Sequence, residues 1–143
     1  MPSSYYFCLT LAIQALLIAG CGDSGPDLGP TGTLRGTVMF ESTPVTEGSV
    51  HLSHLQEGHG GVAQIDGSGA YAIDSYRGLP VGTYQVTVIP PMVEVDAGPN
   101  SPKSESPKDM KNIPQKYRDP STSGLTVEIT AGENTFEINM SGK

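Results

Sequence analysis

The sequence predicts an all-β domain, a seven-stranded antiparallel Greek-key β-sandwich, and three observations carry that prediction. Gly (18) and Pro (12) make about a fifth of the 143 residues, Trp is absent, and apolar residues reach only 36%. Such a mixture belongs to short strands joined by many turns. Several segments alternate apolar and polar residues with a period of two, and turn signals separate them at near-regular spacing. The length admits one domain with a modest core.

The first alternating segment runs from Thr33, with Leu34, Val38 and Phe40 on one face and Arg35, Thr37 and Glu41 on the other. Ser49 to Ser53 follows as a second strand after the turn-rich link Ser42 to Gly48. Val62 to Asp66 and Tyr71 to Ser75 flank Gly67-Ser68-Gly69, whose glycines permit the positive φ of a tight hairpin. Gly82 to Val88 places Tyr84, Val86 and Val88 inward and stops at Pro90-Pro91, because proline cannot continue the ladder. Leu125 to Ile129 and Asn134 to Met140 close the chain, with Thr130 to Glu133 predicted as the hairpin turn between them.

Residues 91–124 interrupt this rhythm. Prolines at 99, 102, 107, 114 and 120 and near-balanced charge predict a long, mostly mobile loop. Within it Ile113 and Tyr117 are apolar anchors that pack back on the sandwich edge. The same stretch holds five of the eight basic side chains, Lys103, Lys108, Lys111, Lys116 and Arg118, mixed with Tyr117. Together these six residues form the candidate binding surface for an anionic envelope polymer or a partner protein.

Tyr5 to Gly20 is an apolar run broken only by Thr10 and Gln14, too short to cross a hydrocarbon core of about 30 Å comfortably. It ends in small residues, as a helical export signal does. Only the α-amino group supplies positive charge ahead of it. Leu17-Ile18-Ala19-Gly20-Cys21 resembles the bacterial lipobox, and Gly22 to Gly32 follows as a polar, Gly/Pro-rich tether. The resemblance implies cleavage between Gly20 and Cys21, a diacylglyceryl thioether on Cys21, and a protein exported and held on a bacterial membrane. That membrane is the outer membrane or the outer face of the inner one. The domain plan is therefore 1–20 signal peptide, 21–32 lipidated cysteine and tether, and 33–143 sandwich.

Gly36-Thr37-Val38, Pro44-Val45 before Gly48 to Leu52, Gln64 to Tyr71, and Gly78-Leu79-Pro80-Val81-Gly82-Thr83-Tyr84-Gln85-Val86 resemble the carboxypeptidase regulatory-like, transthyretin-like sandwich, an Ig-like architecture. Ile113 to Tyr117, Thr122 to Thr126 and Asn134 to Phe136 resemble a subgroup of small bacterial lipoproteins built on that domain. Both resemblances imply a non-catalytic accessory or binding module.

The remaining chemistry is mostly exclusion. A net charge of −7 opposes a phosphate backbone, so nucleic acid is a poor partner. Cys8 departs with the leader and Cys21 is consumed by lipid, which leaves no disulfide-linked partner. His51 and His54 fall on opposite faces of one strand and His59 in a Gly-rich loop, so no metal site and no cofactor are expected. The family's hydrolase ending and its His-x-His iron site are both missing, and no nucleophile with a base is visible. Glu128 and Glu137 read as solvated charge on outward strand positions, and Asn134 and Asn139 lack the first-strand lysine that a crosslink needs. A carbohydrate-binding strip would have only Tyr71, Tyr76, Tyr84 and Tyr117 to draw on. The expected function is a membrane-anchored structural or binding module of the cell envelope. A polymer-binding module is the alternative, and a hydrolytic or metal-dependent enzyme is a more distant one.

Overall fold

The computed structural model describes residues 28–74, 77–95, 98 and 103–142. The leader, Cys21 and most of the tether lie outside the described residues, as does Tyr76. Among the described residues no helix is long and apolar enough to cross a membrane.

Two sheets pack face to face over one core. In the first, β1 (Thr31–Phe40) is central. On one side β2 (Thr43–Pro44), β5 (Ala70–Ile73) and β6 (Leu79–Pro80) pair with it antiparallel. On the other side β11 (Gly132–Thr135) and β12 (Ile138–Met140) run parallel to it. The second sheet is antiparallel, in the order β10 (Leu125–Ile129), β7 (Gly82–Ile89), β3 (Ser49–His54), β4 (Gly60–Gln64). Leu34 and Val38 of the first sheet and Val50, Tyr84, Val86 and Val88 of the second are fully buried, the inward sets that the period-two pattern predicts.

Three expectations need correction. The segments beside Asp66-Gly67-Ser68-Gly69 do not form a hairpin, because β4 pairs with β3 and β5 with β1. The turn carries the chain from one sheet to the other. It is closed by Asp66, whose carboxylate accepts from the N–H groups of Ser68 and Ala70 at 2.8 and 3.0 Å, while Gly69 sits at φ 87°. Bonds from Ser68, side chain first, hold the Asp66 pKa below its ordinary value. Residues 130–133 likewise link β10 in one sheet to β11 in the other, so the closing hairpin is also absent and the sandwich is mixed rather than wholly antiparallel.

The third correction concerns 91–124. Met92–Val95 (β8) and Ser104–Pro107 (β9) pair as a small separate sheet. A 3₁₀ turn at Gln115–Arg118 and one helical turn at Pro120–Ser123 follow. Asp119 starts that helical turn by accepting from Ser121 N–H at 2.8 Å, and Gly124 ends it at φ 63°. Met110, Ile113 and Tyr117 are buried in the common core. What alternation could not register as structure is thus a hairpin followed by two short turns.

The single closing strand is also divided, at Phe136-Glu137. The Phe136 carbonyl turns over Gly36 and accepts the Tyr71 hydroxyl at 2.7 Å, while the Glu137 carboxylate accepts from Thr37 N–H at 3.1 Å and from the Thr37 hydroxyl. Burial, with Glu137 nearby, pushes the Tyr71 pKa well above its ordinary value. A Cβ on Gly36 would lie 1.9 Å from the Phe136 carbonyl oxygen. Gly36→Ala is therefore expected to destabilise the domain by about 1–3 kcal/mol, the scale of forced overpacking. Urea unfolding reads it, and an unchanged midpoint would contradict this packing.

Candidate functional site

Of the six predicted binding residues, five have defined partners in the fold. Lys103 pairs with Glu94 across the β8–β9 hairpin at 2.8 Å, and Lys108 with Glu47 at 2.6 Å. Arg118 is a staple: its Nε donates to the Ile113 carbonyl at 2.9 Å, and its Nη2 donates to Met110 and Ile113 carbonyls at 2.9 and 2.6 Å. Tyr117 is buried and its hydroxyl accepts from Ser141 N–H at 3.1 Å. Lys116 lies over the Tyr117 ring, 4.7 Å from its centroid, and Lys111 is exposed. The six therefore span the hairpin and the packed turns rather than one cationic surface.

Arg118 yields a direct check. The planar guanidinium reaches two carbonyls that a lysine ammonium cannot bridge with the same fork. Arg118→Ala is expected to cost about 1–3 kcal/mol, the range for charged hydrogen bonds, and Arg118→Lys is expected to restore less than half of it. Chemical denaturation of the two variants measures the difference, and full rescue by lysine would show that charge alone matters.

The histidines separate in the same way. His54 packs edge-on against Tyr84, ring centroids 4.9 Å apart, and its Nδ1 accepts from the N–H groups of Gln56 and Glu57, both at 3.1 Å. It fills the space that a side chain on Gly82 would need. His59 lies 3.8 Å from Glu57 at the surface. Among the described residues no three His, Cys, Asp or Glu side chains gather where they could hold a metal ion.

His51 shares a 2.9 Å hydrogen bond with Ser49, a contact that the sequence reading missed. Ser-x-His on one strand puts both side chains on one face, so the spacing held the signal. Burial lowers the His51 pKa, which keeps the ring a neutral base. Among the described residues no carboxylate bonds to this ring, and neither Ser49 nor His51 lines the three grooves described next.

Tyr71, Tyr84 and Tyr117 are buried, so the described tyrosines offer no surface strip for sugar stacking. Asn134 is bound by its own turn, accepting from Thr130 N–H at 3.0 Å and donating to the Thr33 and Thr130 carbonyls at 3.1 and 2.8 Å. Glu128 is exposed on β10.

Among the described residues three grooves stand out. The largest, about 500 Å³, runs along the β1–β5 surface and mixes Arg35 with Asp66 and Asp74. A second, about 370 Å³, holds Arg35 and Arg77 beside Thr31 and Gly132. The third, about 280 Å³, lies between Leu55 and Val81. Six large apolar side chains are exposed among the described residues, and three of them, Met92, Val93 and Val95, belong to β8. A two-stranded hairpin is marginal alone in water, so such an arm gains most from a partner that covers it. Comparison with known protein families, with curated proteins and with solved structures yields no match.

Proposed function

We propose that the protein is an exported lipoprotein, anchored to a bacterial membrane through acylated Cys21, whose transthyretin-like sandwich serves as a non-catalytic binding or structural module of the cell envelope. The observation that carries this reading is Leu17-Ile18-Ala19-Gly20-Cys21, followed directly by a polar tether and then by a domain. Supporting it, no buried side-chain nitrogen or oxygen among the described residues lacks a hydrogen-bond partner.

Binding would fall to the β8–β9 hairpin. The ion pairs of Lys103 and Lys108 occupy cations that an anionic polymer would require, whereas Met92, Val93 and Val95 stay uncovered. That contrast favours a protein partner over a charged polymer. Mass spectrometry of the native N-terminus tests the anchoring directly. The expected species begins at Cys21 and carries a diacylglyceryl thioether; an unmodified Met1 or a free Cys21 thiol would overturn it.

A further inference from the structure

The first described residues join the fold at one end of the sandwich. Val81 N–H donates to the Pro30 carbonyl at 3.1 Å, and β6 pairs with Thr31 and Gly32. The β3–β4 loop belongs to the same end, because Leu55 N–H donates to the Thr83 carbonyl at 3.1 Å. Leu55 and Val81 are 53% and 39% exposed there and line one groove. The chain that leads back to Cys21 therefore leaves the domain beside two uncovered aliphatic side chains.

Charge is distributed unevenly at this end. Arg35 and Arg77 share the groove that includes Thr31, and neither has an ion-pair partner among the described residues. Lys103, Lys108 and Arg118, by contrast, are bonded within the fold. In a chain of net charge −7 this leaves a local pair of guanidiniums where the tether joins, with Glu57 and Glu133 also lining the grooves.

We propose that this end of the sandwich is the face that lies on the bilayer. Leu55 and Val81 enter the boundary between headgroups and acyl chains, and Arg35 and Arg77 meet anionic headgroup phosphates. The proposal rests on the reading of Cys21 as lipidated. Leu28 lies seven residues after Cys21, at most about 25 Å of extended chain, so the anchor keeps this end close to the membrane surface. A short tether gives the domain a millimolar effective concentration there, and a weak apolar and electrostatic contact then suffices to orient it. Arginine suits the role because its stem packs on apolar surface while its fork holds phosphate. One consequence is directional. β7 runs away from this end, and the β8–β9 hairpin follows Pro90-Pro91 at its far end, roughly 25 Å distant at about 3.3 Å per strand residue, so the hairpin faces away from the membrane.

The test uses the chain from Cys21 onward, which contains every described element, coupled through its Cys21 thiol to a maleimide lipid. Coupling is chemical, so the result does not depend on whether cells lipidate the protein, a point the native N-terminal mass decides separately. The chain has no Trp, so a single introduced indole reports alone. In vesicles of phosphatidylglycerol and phosphatidylcholine, Leu55→Trp should shift its emission to the blue and be quenched by brominated acyl chains. Thr43→Trp, exposed at the other end of β1, should do neither. Combining Leu55→Trp with Arg35→Gln and Arg77→Gln should lower quenching to the level seen with phosphatidylcholine alone. Val81→Trp repeats the reading should position 55 fold poorly. Solution-like emission at 55 and 81 on vesicles that carry the protein, quenching at 43 instead, or quenching indifferent to the arginines and to phosphatidylglycerol would each overturn the proposal.

Discussion

Cys21→Ser is expected to abolish incorporation of an acyl label, to leave the chain uncleaved after Gly20, and to make the protein extractable from membranes by alkaline carbonate. Each acyl CH₂ buried in a bilayer contributes about 0.8 kcal/mol, so one chain binds reversibly and two or three hold effectively permanently. Serine forms no thioether, and all of that energy is lost at once. The uncleaved run from Tyr5 to Gly20 is too short to replace it as a comfortable span of about 30 Å. Cys8→Ser supplies the contrast, because on this reading Cys8 belongs to the cleaved segment and its loss should change neither labelling nor fractionation. Retained acyl label in Cys21→Ser, or equal effects of the two substitutions, would remove the anchor from this account.

The second large effect is expected at Tyr84. Its side chain is fully buried on β7, between Val127 of β10 and His54 of β3, and its hydroxyl donates to the Pro80 carbonyl at 2.8 Å. Burial first, and Glu57 second, raise its pKa, so the phenol stays protonated and able to donate. Tyr84→Ala removes an aromatic ring from a closed core, where such truncations cost about 3–5 kcal/mol. Against a typical total stability of about 5–15 kcal/mol, that is enough to lower Tm by roughly 10–20 °C or to leave the domain largely unfolded. Tyr84→Phe keeps the ring and strands a buried carbonyl, at about 1–2 kcal/mol. Thermal unfolding by circular dichroism should rank wild type, Phe and Ala in that order; equal midpoints for wild type and Phe would show that the Pro80 bond contributes nothing.

Together the two effects describe a division of labour along the chain. On the proposed reading, the segment up to Cys21 sets where the protein resides, and the folded domain sets what it presents. Within the sandwich, most polar side chains that first attract attention serve the fold. Arg118 ties two carbonyls of the 110–118 segment, Asn134 closes a turn and His54 covers a glycine. The uncommitted features include two exposed sets, the apolar side chains of β8 at one end and Leu55, Val81, Arg35 and Arg77 at the other.

The sequence by itself determined the all-β class, the inward faces of β1, β3 and β7, and the Asp66 turn, because each depends on local pattern: alternation for burial, asparagine-like side chains and glycine for tight bends. The resemblance of Leu17 to Cys21 to a lipobox is legible for the same reason, since that motif is contiguous. Only the tertiary structure decided which strands pair. The turns at 66–69 and 130–133 look like hairpins locally, yet each crosses between sheets, because both faces of the core must be closed and the chain's alternation does not specify its neighbour. It also decided the pairing of β8 with β9 and the burial of Met110, whereas Ile113 and Tyr117 pack back on the core as the sequence anticipated. The same limit hid the proposed membrane-facing end: Leu55, Val81, Arg35 and Arg77 are scattered in sequence, and the pairing of β6 with the start of β1 helps bring them to the end where Pro30 joins the fold.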